Sequence, residues 1–160
     1  MTILRSTLDT TSAEFSAARQ AMEGKLDQLA ADLEPALAGG SERSVARHRA
    51  RGKFTARERI DMVLDRESPF LELCALAAWG SDFQTGASVV AGIGVVEGVE
   101  CLLVANDPTV KGGTSNPWTL RKILRINDIA MENRLPVISL VESGGADLPT
   151  QKEEIGRAHV

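Results

Sequence analysis

A chain of 160 residues is long enough to bury a core and suggests one domain. Its 43% hydrophobic and 25% charged shares are those of an ordinary globular protein, and no apolar run approaches the roughly 20 residues of a membrane span. Met1-Thr2-Ile3-Leu4-Arg5 lacks a signal-peptide pattern and Cys74 and Cys101 stand alone, so a cytoplasmic location without a metal is expected.

The net charge of −4 conceals an asymmetry, because Arg43, Arg47, Arg49, Arg51, Lys53, Arg57 and Arg59 stand together against one acid, Glu58. Such a stretch can attract a phosphorylated ligand or form a solvated helix face. The acidic chain around it, poor in aromatics, argues against a nucleic-acid partner.

In chain order, an amphipathic helix is predicted over residues 12–34, where Phe15, Ala18, Met22, Leu26, Leu29 and Leu33 recur at three- and four-residue steps. Pro35 and then Gly39-Gly40-Ser41 should end it, so residues 1–40 read as an N-terminal helical extension. A short basic helix follows over 42–51, interrupted by Gly52. Thr55-Ala56-Arg57-Glu58 matches a capping box and opens a helix to about Leu64, burying Ile60, Val63 and Leu64. Residues 65–70 read as a turn and 70–73 as a short extended or mixed segment.

The middle of the chain changes character. Residues 87–96 and 99–106 are rich in Val and Ile and flank Glu97-Gly98, a hairpin signal. A loop over 107–116 carries the pair Gly112-Gly113, and Ser115 or Asn116 caps a helix that starts at Pro117 and runs to about Asn133. Its inner face is predicted as Leu120, Ile123, Leu124, Asn127, Ala130 and Met131, with Arg121, Lys122 and Arg125 outward. Pro136 leads into a buried strand that starts at Val137 and ends at Ser143, where it breaks into Gly144-Gly145-Ala146. The order hairpin, helix, strand, glycine turn is an α/β layout with ligand loops at strand ends. Backbone N–H groups exposed at such a turn can hold an oxyanion, and one good donor is worth about 2.7–4 kcal/mol of barrier. The same turn can equally be a tight connection without chemistry.

Four segments in register resemble one family, the carboxyltransferase (beta) subunits of biotin-dependent acyl-CoA carboxylases of the acetyl-, propionyl- and methylcrotonyl-CoA type. They are Arg47-His48-Arg49-Ala50-Arg51-Gly52-Lys53 with Arg57-Glu58-Arg59-Ile60, then Leu64-Asp65 with Ser68-Pro69-Phe70-Leu71-Glu72-Leu73. The third is Ala105-Asn106-Asp107-Pro108-Thr109-Val110-Lys111-Gly112-Gly113-Thr114, and the last is Glu142-Ser143-Gly144-Gly145-Ala146-Asp147-Leu148-Pro149. The resemblance implies a crotonase-like fold of stacked β-β-α units, incomplete here and preceded by the N-terminal helices, with residues 41–153 as part of the N-terminal carboxyltransferase domain. It implies transfer of a carboxyl group from carboxybiotin to the α-carbon of an acyl-CoA, or to the γ-carbon of a methylcrotonyl-type substrate. A biotin-dependent decarboxylase subunit or a CoA-thioester hydratase or isomerase on the same fold are the alternatives.

By the same resemblance, the backbone amides of Gly144 and Gly145 stabilise the enolate oxygen. Lys111, Gly112, Gly113, Thr114 and Ala146 line the acyl-CoA site, and Arg47, Arg49 and Lys53 either meet CoA phosphates or organise the helices. Biotin would arrive on a partner carrier domain loaded by a biotin carboxylase, no metal would be needed, and the full protein would be a homo-oligomer. Asp147-Leu148-Pro149 looks more like the methylcrotonyl- and geranyl-CoA branch than the propionyl-CoA one. Residues 154–160 are expected to be a non-native tail, since Ile155-Gly156-Arg157-Ala158-His159-Val160 is one translation of a common sequencing adapter. The fragment alone is expected to be inactive.

Overall fold

A computed structural model describes residues 6–150. The expected foreign tail therefore lies outside the described residues. The elements are α1 (Ala13–Ala38), α2 (Glu42–Ala50), α3 (Ala56–Val63), β1 (Leu71–Glu72), β2 (Val89–Val96), β3 (Val99–Asn106), α4 (Pro117–Asn133) and β4 (Val137–Leu140). Single 3-10 turns occupy Lys111–Gly113 and Leu148–Thr150. The chain divides after Asp32 into two compact units.

In the first unit, α1 is started by Ser12, whose hydroxyl accepts from the Phe15 N–H at 3.1 Å. The predicted apolar stripe of this helix is largely exposed, with Met22, Leu26 and Leu29 all open.

The second unit is a four-stranded sheet in the order β1-β2-β3-β4. β1 with β2 and β2 with β3 are antiparallel, and β3 with β4 is parallel. Because successive side chains of β2 and β3 point to opposite faces, both faces build a core. Val90, Leu103 and Ala105 meet Ala56 and Ile60 of α3 on one side. Val89, Ala91 and Leu102 meet Ile126 and Ala130 of α4 on the other. The run β2-β3-α4 is one β-β-α unit, and β4 follows it as an edge strand.

Local signals read well. Thr55 forms the expected capping box with Glu58, and Asn116 rather than Ser115 caps α4. Glu97 and Gly98 both take positive φ, the geometry of a two-residue hairpin that follows the strands' twist. The Asp65 carboxylate accepts from both of their N–H groups, at 2.7 and 2.8 Å.

Three expectations are corrected. Pro35 does not end α1, which runs on to Ala38. The proline removes one hydrogen bond, and carbonyls of the last turn, which have no partner inside the helix, are taken from outside it. Gln84 Nε2 donates to the Pro35 carbonyl and Arg57 Nη2 to that of Ala36. The predicted phase of α4 is rotated, since Leu124 and Met131 are exposed while Thr119, Lys122 and Ile126 are buried. Lys122 lies inward because its stem is apolar and its ammonium finds the Gly86 and Val89 carbonyls, at 3.1 and 2.6 Å. Finally, the strand before the glycine turn stops at Leu140 rather than Ser143 and is not buried throughout. Val137 and Val141 are exposed, and only Ile138 and Leu140 turn toward the α3 core.

Candidate active site

β3 and β4 run parallel, pairing Leu102 with Val137 through Ala105 with Leu140. Their C-terminal ends therefore open at the same edge, the usual place for ligands in an α/β sheet. Beyond Asn106 the chain enters the turn Lys111–Gly113, and beyond Leu140 it enters the turn at 142–146.

The structure brings these two turns into direct contact. The Gly144 N–H donates to the Gly112 carbonyl at 2.9 Å, the Ser115 N–H to the Gly145 carbonyl at 2.8 Å, and the Asp147 N–H to the Ser115 carbonyl at 2.8 Å. Gly113 is where they approach most closely. A Cβ added there would stand 2.5 Å from the Glu142 carbonyl oxygen, and its φ of +70° already excludes most side chains. The Thr114 hydroxyl donates to the Lys111 carbonyl at 3.0 Å, which closes the first turn.

The donors of the second turn differ. Gly144 gives its N–H to Gly112, whereas among the described residues the Gly145 N–H is held only by the Ser143 hydroxyl, at 3.1 Å. Among the described residues, the exposed Ala146 offers its N–H to no acceptor. Lys111 reaches over the rim, 3.6 Å from the Asp147 carboxylate and 5.9 Å from the Phe83 ring centroid. Beside it lies a cleft of about 290 Å³ lined by Ser41, Phe83, Gln84, Ser88, Lys111 and Thr114.

The basic stretch is less free than its sequence suggests. Lys53 Nζ donates to Glu142 Oε1 at 2.6 Å, and Arg49 pairs with Glu58 at 2.7 Å. Arg47 is exposed and has no carboxylate partner among the described residues. Of the three, only Lys53 touches the glycine turns. The hydrogen bond from Lys53 holds the Glu142 carboxyl below its ordinary range, and the charges of Arg59 and His48 act in the same direction.

One residue at this site stands in the basic stretch and in the first resembling segment, neither of which gives it a role at the turns. Arg59, on α3, donates to the Leu140 carbonyl at 3.2 Å and to the Asn106 carbonyl, and lies 3.8 Å from Glu142 Oε2. Its partners are 47 and 81 residues away along the chain, so no motif could have disclosed them. Among the described residues no cluster of three His, Cys, Asp or Glu side chains is arranged to hold a metal. No helix among them is long and apolar enough to cross a membrane.

Comparison with known proteins matches residues 47–157 to a family described as the carboxyl transferase domain. The chain is 68% identical over 151 residues to a Mycobacterium tuberculosis protein named "probable biotin-dependent acyl-coenzyme A carboxylase beta2 subunit", covering 94% of this chain and 28% of that one. It is 47% identical to a Drosophila melanogaster "probable methylcrotonoyl-CoA carboxylase beta chain, mitochondrial", covering 94% and 27%. Among solved structures, the beta subunit of Pseudomonas aeruginosa geranyl-CoA carboxylase superposes with a TM-score of 0.79 at 38% identity, over 94% of this chain and 29% of that one. The chain thus spans a little over a quarter of the length of these relatives.

Proposed function

The chain belongs to the carboxyl transferase domain family, and from that premise we propose that the whole protein is the carboxyltransferase subunit of a biotin-dependent acyl-CoA carboxylase. The observation that carries this reading is the pairing of two glycine turns at the open ends of parallel strands. An acyl-CoA lying along this rim would present its thioester carbonyl to the turn at 143–146. Loss of the α-proton, or of the γ-proton in a methylcrotonyl-type substrate, leaves an enolate whose charge sits largely on that oxygen. Gly145 is suited to receive it, because its N–H is held by a hydroxyl that can rotate away. The Ala146 N–H lies next in the chain. Gly144, bonded to Gly112, sets the turn against the opposite wall, which Lys111, Gly112, Gly113 and Thr114 form.

Biotin, delivered on a partner carrier domain, supplies the activated carboxyl group. An added Cβ at Gly112 or Gly145 would meet nothing within 4 Å, so the rim has room for a bulky group beside the thioester. A hydratase or isomerase would instead need a free carboxylate base. Glu142 is committed to Lys53 and Arg59, and Asp147 faces Lys111, which favours the transferase reading. Arg47 and the other open cations of α2 are the candidates for CoA phosphates.

The substrate we propose is a branched, unsaturated acyl-CoA of the methylcrotonyl or geranyl kind. The support is Asp147-Leu148-Pro149, together with the names of two of the relatives. The partners would be a biotin carboxylase and its carrier, in a homo-oligomer, and two free thiols suit the cytoplasm. The test is fixation of labelled bicarbonate by the full-length protein with its biotinylated partner, ATP and a panel of acyl-CoA thioesters. Avidin-sensitive fixation, fastest on the branched unsaturated thioesters, is the expected result. A fully carboxylated carrier that transfers to none of them would overturn the reading, and release of CO₂ from carboxylated thioesters alone would favour a decarboxylase.

A further inference from the structure

The ladder between β3 and β4 ends at the pair Ala105 and Leu140. At that end one guanidinium reaches a carbonyl of each strand. Arg59 Nη1 takes the Leu140 carbonyl and Nη2 takes that of Asn106. Arg59 Nε is buried with no partner among the described residues, so the side chain is held by these end contacts rather than along its length. Two residues past Leu140, Glu142 presents one carboxylate oxygen to Lys53 and the other toward Arg59. The Glu142 carbonyl is the atom against which Gly113 packs.

We propose that Arg59 is a positioning residue for the proposed oxyanion turn, fixing the two strand ends and, through Glu142 and Lys53, the register of the turn at 142–146 against the turn at 111–114. Resting on the carboxyltransferase reading, it assigns to α3 a task that the reading itself does not contain. Arg59 does not touch the substrate. It sets where the Gly145 and Ala146 amides lie relative to the opposite wall. The planar fork is essential, because a lysine offers a point charge and cannot span two carbonyls and a carboxylate in fixed geometry.

The experiment uses the full-length protein with its biotinylated partner, comparing Arg59→Gln, Arg59→Lys and Glu142→Gln with wild type. Misplacement of about 1 Å costs on the order of 10²-fold in rate, so Arg59→Gln should lower kcat by roughly 10- to 100-fold while KM for the acyl-CoA stays within about twofold. Arg59→Lys should recover little of it, and Glu142→Gln should fall between. Hydrogen exchange reads the turn independently of any reaction. In Arg59→Gln the Ser115, Gly144 and Asp147 amides, which bond the two turns together, should exchange at least tenfold faster, while those of the hairpin β2-β3 keep wild-type protection and report an intact fold. Unchanged exchange at these three amides overturns the proposal whether or not the protein transfers carboxyl groups. An unchanged kcat in an active enzyme overturns it too. Wild-type inactivity with fast exchange in the variant sinks the carboxyltransferase reading and leaves the clamp standing.

Discussion

At the scale of single residues, Lys122 shows how far context overrides type. It is 2% exposed, and burial pushes its ammonium down from 10.5 to about 8. Unfolded, the lysine would keep its proton up to its ordinary value, so between these two pH values the unfolded chain holds a proton that the folded chain has released. The stabilisation linked to this group is therefore fully present above the unfolded value and is lost as pH falls through the folded one. A shift of this size corresponds to at most about 3 kcal/mol. Lys122→Met removes the titration and also leaves the Gly86 and Val89 carbonyls without their donor. Its destabilisation should consequently grow with pH, by up to about 3 kcal/mol between neutrality and pH 11. Urea unfolding of both proteins at the two pH values measures this, and parallel pH profiles would contradict it.

At the scale of elements, two backbone anchors of similar chemistry should differ in strength because they differ in burial. Asn116 caps α4 from a buried position, with its side-chain oxygen 2.9 Å from the Trp118 nitrogen and 3.0 Å from that of Thr119. Water cannot replace it, so Asn116→Ala should cost about 2 kcal/mol, the upper part of the range for helix caps. Asp65 holds the two N–H groups of the β2-β3 hairpin, but Glu97 and Gly98 are exposed. Solvent can take over, and Asp65→Ala should cost about 1 kcal/mol, the usual net value of a hydrogen bond. Denaturant midpoints at constant m-value give the ranking, and an equal or reversed order would count against it. Both anchors were legible in kind from the sequence, since caps and two-residue hairpins are written within four residues of themselves. The phase of α4 was not. Periodicity counted Leu124 and Met131 as core and Lys122 as surface, and it had no means of knowing that the carbonyls of Gly86 and Val89 lie within reach of the ammonium. Nor could local pattern place Arg59, which α3 carries inward to strand ends that lie far along the chain.

At the scale of the whole molecule, the fold class and the two glycine turns were legible because four short segments in register resembled one family. What the resemblance did not contain was that the two turns are hydrogen-bonded to each other. Charge shows the same limit. The sequence sets seven cations between Arg43 and Arg59 against Glu58 alone, yet folding brings Glu72 and Glu142 to them. Arg49, Lys53, Arg57 and Arg59 all meet carboxylates, which leaves Arg43, Arg47 and Arg51 without a carboxylate partner among the described residues. A polyanion could recruit these three without breaking an ion pair, whereas engaging all seven would mean dismantling the contacts that hold Glu142 and Glu72. Affinity for duplex DNA should therefore be weak, with a log–log salt slope no steeper than about −3, the value for three phosphates neutralised. Fluorescence anisotropy of a labelled duplex across a salt series measures that slope. A slope near −6 would mean that the stretch acts as one basic surface and that its ion pairs open on binding. A shallow slope that flattens further in Arg47→Gln would instead leave the open arginines for a small phosphorylated ligand, the role the carboxyltransferase reading gives them.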